Sequence, residues 1–289
     1  MYCPSLSDLP MPPQGKSGWP WTEDSTILCS EITEVSTWPK ISIITPSYNQ
    51  GEFLEETIRS VLLQNYPNLE YIILDGGSSD NSVEILKKYD KYIDFWVSEP
   101  DKGQADAIYR GIEIATGNII AYINSDDFYY PGAFFKVAKK FMKNTNSRWL
   151  TGRTVFVETS SLPSKDQPKY LPINLFTMVY LGNFVMQPST FWRKDLFFSL
   201  GGFDRTLKFS FDFELFMKFL NIEKPLWLNE NLAAFRMHPL SKTSTISDVC
   251  IEESAWIREK YILSDTKIRR FMGINLGKLY GFIFNLRHK

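Results

Sequence analysis

Two adjacent carboxylates, Asp126 and Asp127, close the tetrad Asn124-Ser125-Asp126-Asp127. They follow the apolar run Ile119-Ile120-Ala121-Tyr122-Ile123, opened by Thr116-Gly117-Asn118, which reads as a buried parallel strand. Carboxylates at the C-terminal end of such a strand face the crevice where open α/β sheets bind ligands. Side by side they repel unless a cation or a hydrogen-bond network holds them. Hard divalent cations accept such oxygens and bridge them to phosphate, so the chemistry predicted is retention of a metal–diphosphate. The plainer reading is a strand-end turn capping Tyr129-Tyr130-Pro131, and the tetrad alone favours it.

Two more strand ends carry suitable groups. Ile41 to Thr45 is a β-branched run ended by Pro46-Ser47-Tyr48-Asn49. Proline fixes the turn there, and the exposed backbone can meet a planar base. Tyr71-Ile72-Ile73-Leu74 ends in Asp75-Gly76-Gly77-Ser78-Ser79-Asp80. The glycines permit close approach of a ligand, and Asp75 can accept from the N–H of a uracil ring or simply form a turn. Further on, Glu99-Pro100-Asp101-Lys102-Gly103-Gln104 opens a helix whose free N–H groups suit an anion. Lys102 reaches a phosphate or sugar hydroxyl, or is an ordinary surface lysine.

The elements that must position these groups alternate. Strands are predicted at 41–45, 71–74, 95–97 and 119–123, with helices at 51–64, from Asp80 through Leu86, and at 104–115. That rhythm predicts an α/β fold with a mostly parallel sheet covered by helices. A helix over 134–142 and a strand over 149–157 follow. The shorter segments from Leu181 predict a smaller α+β region built on the first. The expected divisions are an extended leader (1–39), a main domain (40–240, halved near 130) and a C-terminal helical segment (241–289).

The chain has 289 residues, 44% apolar and 22% charged, and a formal net charge of −1. This is enough for a large core, and bulk electrostatics argue against a nucleic-acid partner. Cys3, Cys29 and Cys250 lack metal-ligand spacing and suit a reducing compartment. Met1 to Gly18 has no apolar signal segment, so a cytoplasmic location is expected. The 267–289 tail holds Lys267, Arg269, Arg270, Lys278, Arg287 and Lys289 with no acid. Ile268, Met272, Leu276, Leu279, Ile283 and Leu286 recur there at helical spacing. Such a helix either rests on an anionic inner-membrane face or docks its apolar side on the domain.

The order Ile43-Ile44-Thr45-Pro46-Ser47-Tyr48-Asn49, Asp75 to Asp80, and Ala115-Thr116-Gly117 through Asp127 resembles the inverting glycosyltransferases of family 2. The likeness continues through Gln187-Pro188-Ser189-Thr190, Gly201-Gly202-Phe203-Asp204 and Asp212-Phe213-Glu214, ending near His238. The resemblance implies a GT-A fold and a nucleoside-diphosphate sugar donor, with UDP the expected nucleotide. Donor contacts would come from Thr45, Pro46, Ser47, Tyr48, Asp75, Gly76, Lys102, Gln104, Asn124 and Asp126. A divalent cation, Mn²⁺ or Mg²⁺, would sit on Asp127 as main ligand, with Asp126 and His238. Asn124 stands where many members have a third Asp. Arg236 and Lys242 flank His238 and would help neutralise the diphosphate. Asp212 would be the catalytic base, although Phe211 replaces the usual Glu before it. Gln187, Pro188, Gly202 and Phe203 would line the acceptor side, and Trp192, Phe203 and Phe209 either stack on sugars or pack the core.

The reaction implied is an in-line inverting displacement onto a hydroxyl of a glycan or lipid-linked acceptor. The alternatives are a non-catalytic sugar-nucleotide module and, more remotely, a dinucleotide-dependent oxidoreductase. The latter lacks its glycine fingerprint, since Pro46-Ser47-Tyr48 stands after the first strand.

Overall fold

The computed structural model describes residues 4–25, 38–264 and 266–287. In chain order the first half comprises β1 (Ile41–Ser47), α1 (Leu54–Leu62), β2 (Leu69–Asp75), α2 (Ser82–Tyr89), β3 (Phe95–Ser98), α3 (Gln104–Ile114), β4 (Ile119–Tyr122), β5 (Phe128–Tyr129) and α4 (Ala133–Lys143). The second half comprises β6 (Trp149–Glu158), α5 (Leu175–Tyr180), β7 (Thr190–Arg193), α6 (Lys194–Ser199), α7 (Phe211–Ile222), β8 (Leu226–Met237), α8 (Lys242–Thr245), α9 (Ser247–Ser264) and α10 (Lys267–Arg287).

Period-2 alternation in the strands makes three layers. Ile41, Ile43, Tyr71, Ile73, Ile119 and Ala121 pack against Leu54, Ile58, Val61 and Leu86 on one face of the sheet. Ile44, Ile72, Leu74, Ile120 and Tyr122 pack against Ile108, Ile112, Leu196 and Phe216 on the other. Both faces are covered, so the parallel strands read as continuous apolar runs.

One eight-stranded sheet runs in the order β3-β2-β1-β4-β7-β6-β8-β5. The first four strands are mutually parallel, and β7 joins β4 antiparallel. Register aligns Ser47 with Asp75 and Asp75 with Ser98, so these strand ends share one edge. The second half continues this sheet. The shorter segments expected from Leu181 give way to 12-residue β8 and α7, 18-residue α9 and 21-residue α10.

The leader residues 4–25 pack closely on the domain. Arg59 of α1 is fully buried and donates to the carbonyls of Pro10, Pro20 and Trp21 and to the Tyr89 hydroxyl at 2.8–3.0 Å. At the other end, α10 docks through Gly273 and Gly277, where an added Cβ would meet Tyr180 of α5 at 2.5–2.6 Å. Its apolar residues Phe271, Met272, Leu276 and Leu279 are exposed. The docked side is therefore the glycine side, and the described members of the apolar line, Met272, Leu276 and Leu279, stay exposed. His288 and Lys289 lie outside the described residues.

Candidate active site

Two adjoining cavities open along the edge where β1, β2 and β4 end. The larger, 690 Å³, is walled by Pro46, Ser47, Tyr48, Gly76, Pro100, Asp101, Gln104, Asn124 and Asp126 among others. Tyr48 is 62% exposed over it, while Ser47 Oγ is buried and has no hydrogen-bond partner. A buried hydroxyl without a partner is costly. A Cβ on Gly76 would reach Asp101 at 2.9 Å and Tyr48 at 3.4 Å. Gly103, at φ 110°, turns the chain into α3 at the rim.

The carboxylate pair splits into two roles. Asp126 lies on the cleft, and His238 Nε2 donates to its Oδ2 at 3.0 Å. Asp127 is only 1% exposed and faces inward, where its Oδ1 accepts from the backbone N–H of Arg236 at 2.8 Å. Burial, then the neighbouring Asp126, pushes the Asp127 carboxyl well above the usual range. The ranking of Asp127 as main metal ligand is thus at odds with its placement. Alternate residues on a tight strand-end turn point opposite ways, and Asp126 takes the open side.

Arg236 also departs from expectation. It is 1% exposed and pairs with Glu56 at 3.0 Å, and its guanidinium donates to the carbonyls of Asp126 and Thr159. It braces the acidic turn from behind and lines neither cavity.

The smaller cavity, 200 Å³, contains Asp212 with Tyr122, Thr154, Gln187, Pro188, Phe209, Phe211 and Asn183. Asp212 stands in the first turn of α7. Burial pushes its carboxyl up to about 6, against a smaller opposing pull from Lys242. Gln187 is fixed by donating to the Tyr122 carbonyl at 2.8 Å. Glu214, by contrast, is tied to Lys218 at 2.9 Å along the helix.

Three side chains common to both cavities join them. Lys242 Nζ donates to Gln104 Oε1 and Gln104 Nε2 donates to Asn124 Oδ1, each at 2.7 Å. Burial lowers the Lys242 ammonium despite Asp212 nearby. The sequence offered Lys242 only as a flanking cation. Ser241, whose hydroxyl accepts from the Ser244 N–H at 3.3 Å, caps the short α8 that carries Lys242 inward, and that cap was the signal available. Thr154 and Phe156 of β6 were not anticipated, since nothing in a long strand says which residue reaches a cavity.

Several expected contacts lie elsewhere. Thr45 is buried in the sheet beside the Tyr71 hydroxyl, at 3.1 Å, one residue too deep for the cleft. Lys102 is exposed and lines neither cavity. Asp75 is buried and already accepts from Ser78 N–H, Ser78 Oγ and Ser98 Oγ at 2.6–2.9 Å, forming a turn. Gly202 and Phe203 belong to the core. Phe203 packs on Phe197, Tyr122 and Phe211, and a Cβ on Gly202 would strike Phe197 and Tyr109. Trp192 is likewise buried, stacked on Phe197.

A divalent cation fits the residues at the cleft in a limited way. Asp126 Oδ2 and His238 Nε2 offer an oxygen and a nitrogen 3.0 Å apart, a donor set a divalent cation can use. Among the described residues no group of three or more His, Cys, Asp or Glu is placed to hold a metal. The remaining ligands would have to be substrate phosphates and water, a common arrangement for Mg²⁺.

The glycosyl transferase family 2 profile matches residues 42–198, more than half of the chain. The chain belongs to glycosyl transferase family 2. A glycosyltransferase of Rickettsia typhi is 28% identical over 233 residues, covering 75% of this chain and 70% of the relative. The Bacillus subtilis glycosyltransferase TuaG, named for teichuronic acid biosynthesis, is 33% identical over 42% of this chain and 49% of its own length. Among solved structures, Staphylococcus aureus TarS 1–349 in complex with UDP-GlcNAc superimposes with a TM-score of 0.66 at 19% identity, over 85% of this chain and 73% of that one. The mannosyltransferase PcManGT of Pyrobaculum calidifontis, in complex with GDP-Man and Mn²⁺, gives 0.57 at 15% identity, over 86% and 71%. The fold of this family 2 enzyme is GT-A, and it is a glycosyltransferase. The oxidoreductase and non-catalytic alternatives fall away.

Proposed function

We propose that this family 2 enzyme transfers a sugar from a nucleoside diphosphate, UDP by preference, to a glycan or lipid-linked hydroxyl with inversion at the anomeric carbon. One observation carries the reading: Asp212 and the Asp126–His238 pair occupy neighbouring cavities joined by Lys242, Gln104 and Asn124. The nucleotide takes the larger cleft, its base against Pro46 and Tyr48, its ribose and phosphates toward Asn124 and Asp126. The donor sugar lies toward the smaller cavity, beside Gln187 and Pro188.

In this reading Asp212 accepts the proton of the acceptor hydroxyl. The hydroxyl oxygen then bonds the anomeric carbon as the carbon–oxygen bond to the diphosphate breaks. A single displacement inverts configuration. A raised carboxyl suits a base that must still be ionised near neutrality. Lys242 holds positive charge beside the departing group, and Gln104 and Asn124 fix its orientation. Asp126, ahead of Asp127, and His238 would hold a divalent cation, which when bound supplies electrostatic stabilisation of the leaving diphosphate. Asp75 supports the turn at the nucleoside end through Ser78 and Ser98.

The test is a panel of UDP-, GDP- and dTDP-sugars, each with Mn²⁺, Mg²⁺ or chelator, read by thermal stabilisation and by release of nucleoside diphosphate. Metal-dependent stabilisation by one UDP-sugar, with slow hydrolysis of that donor, is the expected result. Equal stabilisation in chelator removes the metal from the proposal, and silence across the panel removes the donor assignment.

A further inference from the structure

We propose that a separate cleft of 500 Å³, lined by Arg153, Tyr170, Lys224, Trp227 and Asn229, is a subsite for an acidic glycan chain. This rests on the reading that the acceptor is a glycan. Its volume falls in the ~300–1,000 Å³ range of small-molecule sites.

Its aromatic wall is pre-set. The Tyr170 hydroxyl accepts from the Thr154 N–H at 2.8 Å and donates to the Thr154 carbonyl at 2.9 Å, fixing the ring by its hydroxyl. Trp227 stands 5.2 Å from that ring at an interplanar angle of 58° and is 37% exposed. Large rigid aromatic faces give contact area at little cost in conformational freedom, and sugar rings present C–H faces that match them. The two rings are tilted, which disfavours intercalation between stacked bases.

The charge is one-sided. The Arg153 guanidinium lies 5.6 Å above the Tyr170 ring. Neither it nor Lys224 forms an ion pair with an acid among the described residues, and Glu223 is engaged by Arg148 at 3.2 Å. Two cations over an aromatic floor complement a carboxylate or phosphodiester borne on a sugar chain.

Position ties the cleft to the reaction. The pairing of β6 with β8 slips on both sides of Arg153, between Gly152 and Arg153 and again between Arg153 and Thr154. Such irregularities re-aim side chains near active sites. Thr154, the next residue, lines the cavity of Asp212, with its Oγ1 2.6 Å from Ser189 Oγ. A chain held by Arg153 and Trp227 therefore lies along the same strand that lends Thr154 to the catalytic cavity.

Calorimetric titration of the full chain would use tetragalacturonate, oligo(glycerol phosphate), maltotetraose and oligo(dT). Binding of either acidic oligomer, weakened about tenfold in both Arg153→Gln and Trp227→Ala and reduced by salt, is expected. Which oligomer binds tells carboxylate from phosphodiester. Binding unchanged in the variants, maltotetraose or oligo(dT) binding as tightly, or no binding of either acidic oligomer overturns the subsite. Lys224→Gln, on the exposed rim, gives the same reading if Trp227→Ala fails to fold. UDP-sugar hydrolysis is followed in parallel: with hydrolysis intact a negative result sinks the subsite alone, whereas absent hydrolysis in the native chain sinks the transferase reading.

Discussion

In the proposed mechanism Asp212 concentrates the chemistry at the scale of one residue. Burial raises its carboxyl from 3.8 to about 6, so acceptor deprotonation weakens as pH falls below that value. Transfer activity at saturating donor should rise with a half-maximum near pH 6, losing about tenfold per unit below it. Asp212→Asn should abolish transfer while donor-induced thermal stabilisation persists. Linkage gives a second sign. A carboxyl raised in the folded state contributes stability that is fully present below its ordinary value and lost as pH rises through about 6. Asp212→Asn should therefore raise the melting temperature by ~2–4 °C at about pH 8 and leave it unchanged at about pH 3. A melting temperature that falls at alkaline pH would contradict burial as the cause. The two neighbouring acids separate equally well. Asp126→Asn should remove metal-dependent stabilisation by the donor, whereas Asp127→Asn, which keeps an acceptor for Arg236 N–H, should largely retain it.

The residues legible in sequence were those at strand ends. Pro46, Ser47, Tyr48, Gly76, Asn124 and Asp126 reach the cleft because the end of a parallel strand has one exit. Thr45 missed by one position, since whether a strand's last residue is inside or outside depends on where its neighbour stops. Gly202 and Phe203 were misread because a glycine in a turn and an aromatic after it describe a core-closing loop as well as a sugar platform.

Among elements, α1 is the brace of the molecule. Its Glu56 pairs with Arg236 of β8, its Thr57 hydroxyl donates to the carbonyls of Ser125 and Asp127 at 2.6–3.0 Å, and its Arg59 grips the leader. Nothing in the amphipathic spacing of α1 betrays these polar roles, because their partners lie between 38 and 180 positions away along the chain. Arg236→Met leaves Glu56 buried and unpaired and should cost about 3–5 kcal/mol, seen as a lower denaturation midpoint. Pairing it with Glu56→Leu should recover part of that loss. A double variant no more stable than Arg236→Met would show that the carbonyl contacts matter more than the ion pair.

At the scale of the whole molecule, the alternation of strands and helices through Asp127 was enough to foresee a covered parallel sheet, and the order of motifs to foresee GT-A. That the second half extends the same sheet was not readable. Antiparallel insertion of β7 between β4 and β6 is decided by contacts between distant strands, not by local pattern. The tail carries a separate expectation. No described helix is long and apolar enough to cross a membrane, yet α10 leaves Phe271, Met272, Leu276 and Leu279 outward beside Lys278. Flotation with vesicles containing anionic phospholipid should retain the full chain and release one ending at Thr266, and retention of both would exclude the helix as anchor.

On the proposed reading Lys242, Gln104 and Asn124, joined by hydrogen bonds of 2.7 Å, form a latch shared by donor and acceptor. A donor seated in the larger cleft competes for the amides of Gln104 and Asn124 and so resets the ammonium facing the second chamber. Turnover should then be compulsory-order, nucleotide sugar first and free nucleotide last, with UDP competitive against donor and noncompetitive against acceptor. Severing the latch with Gln104→Ala should make the order random.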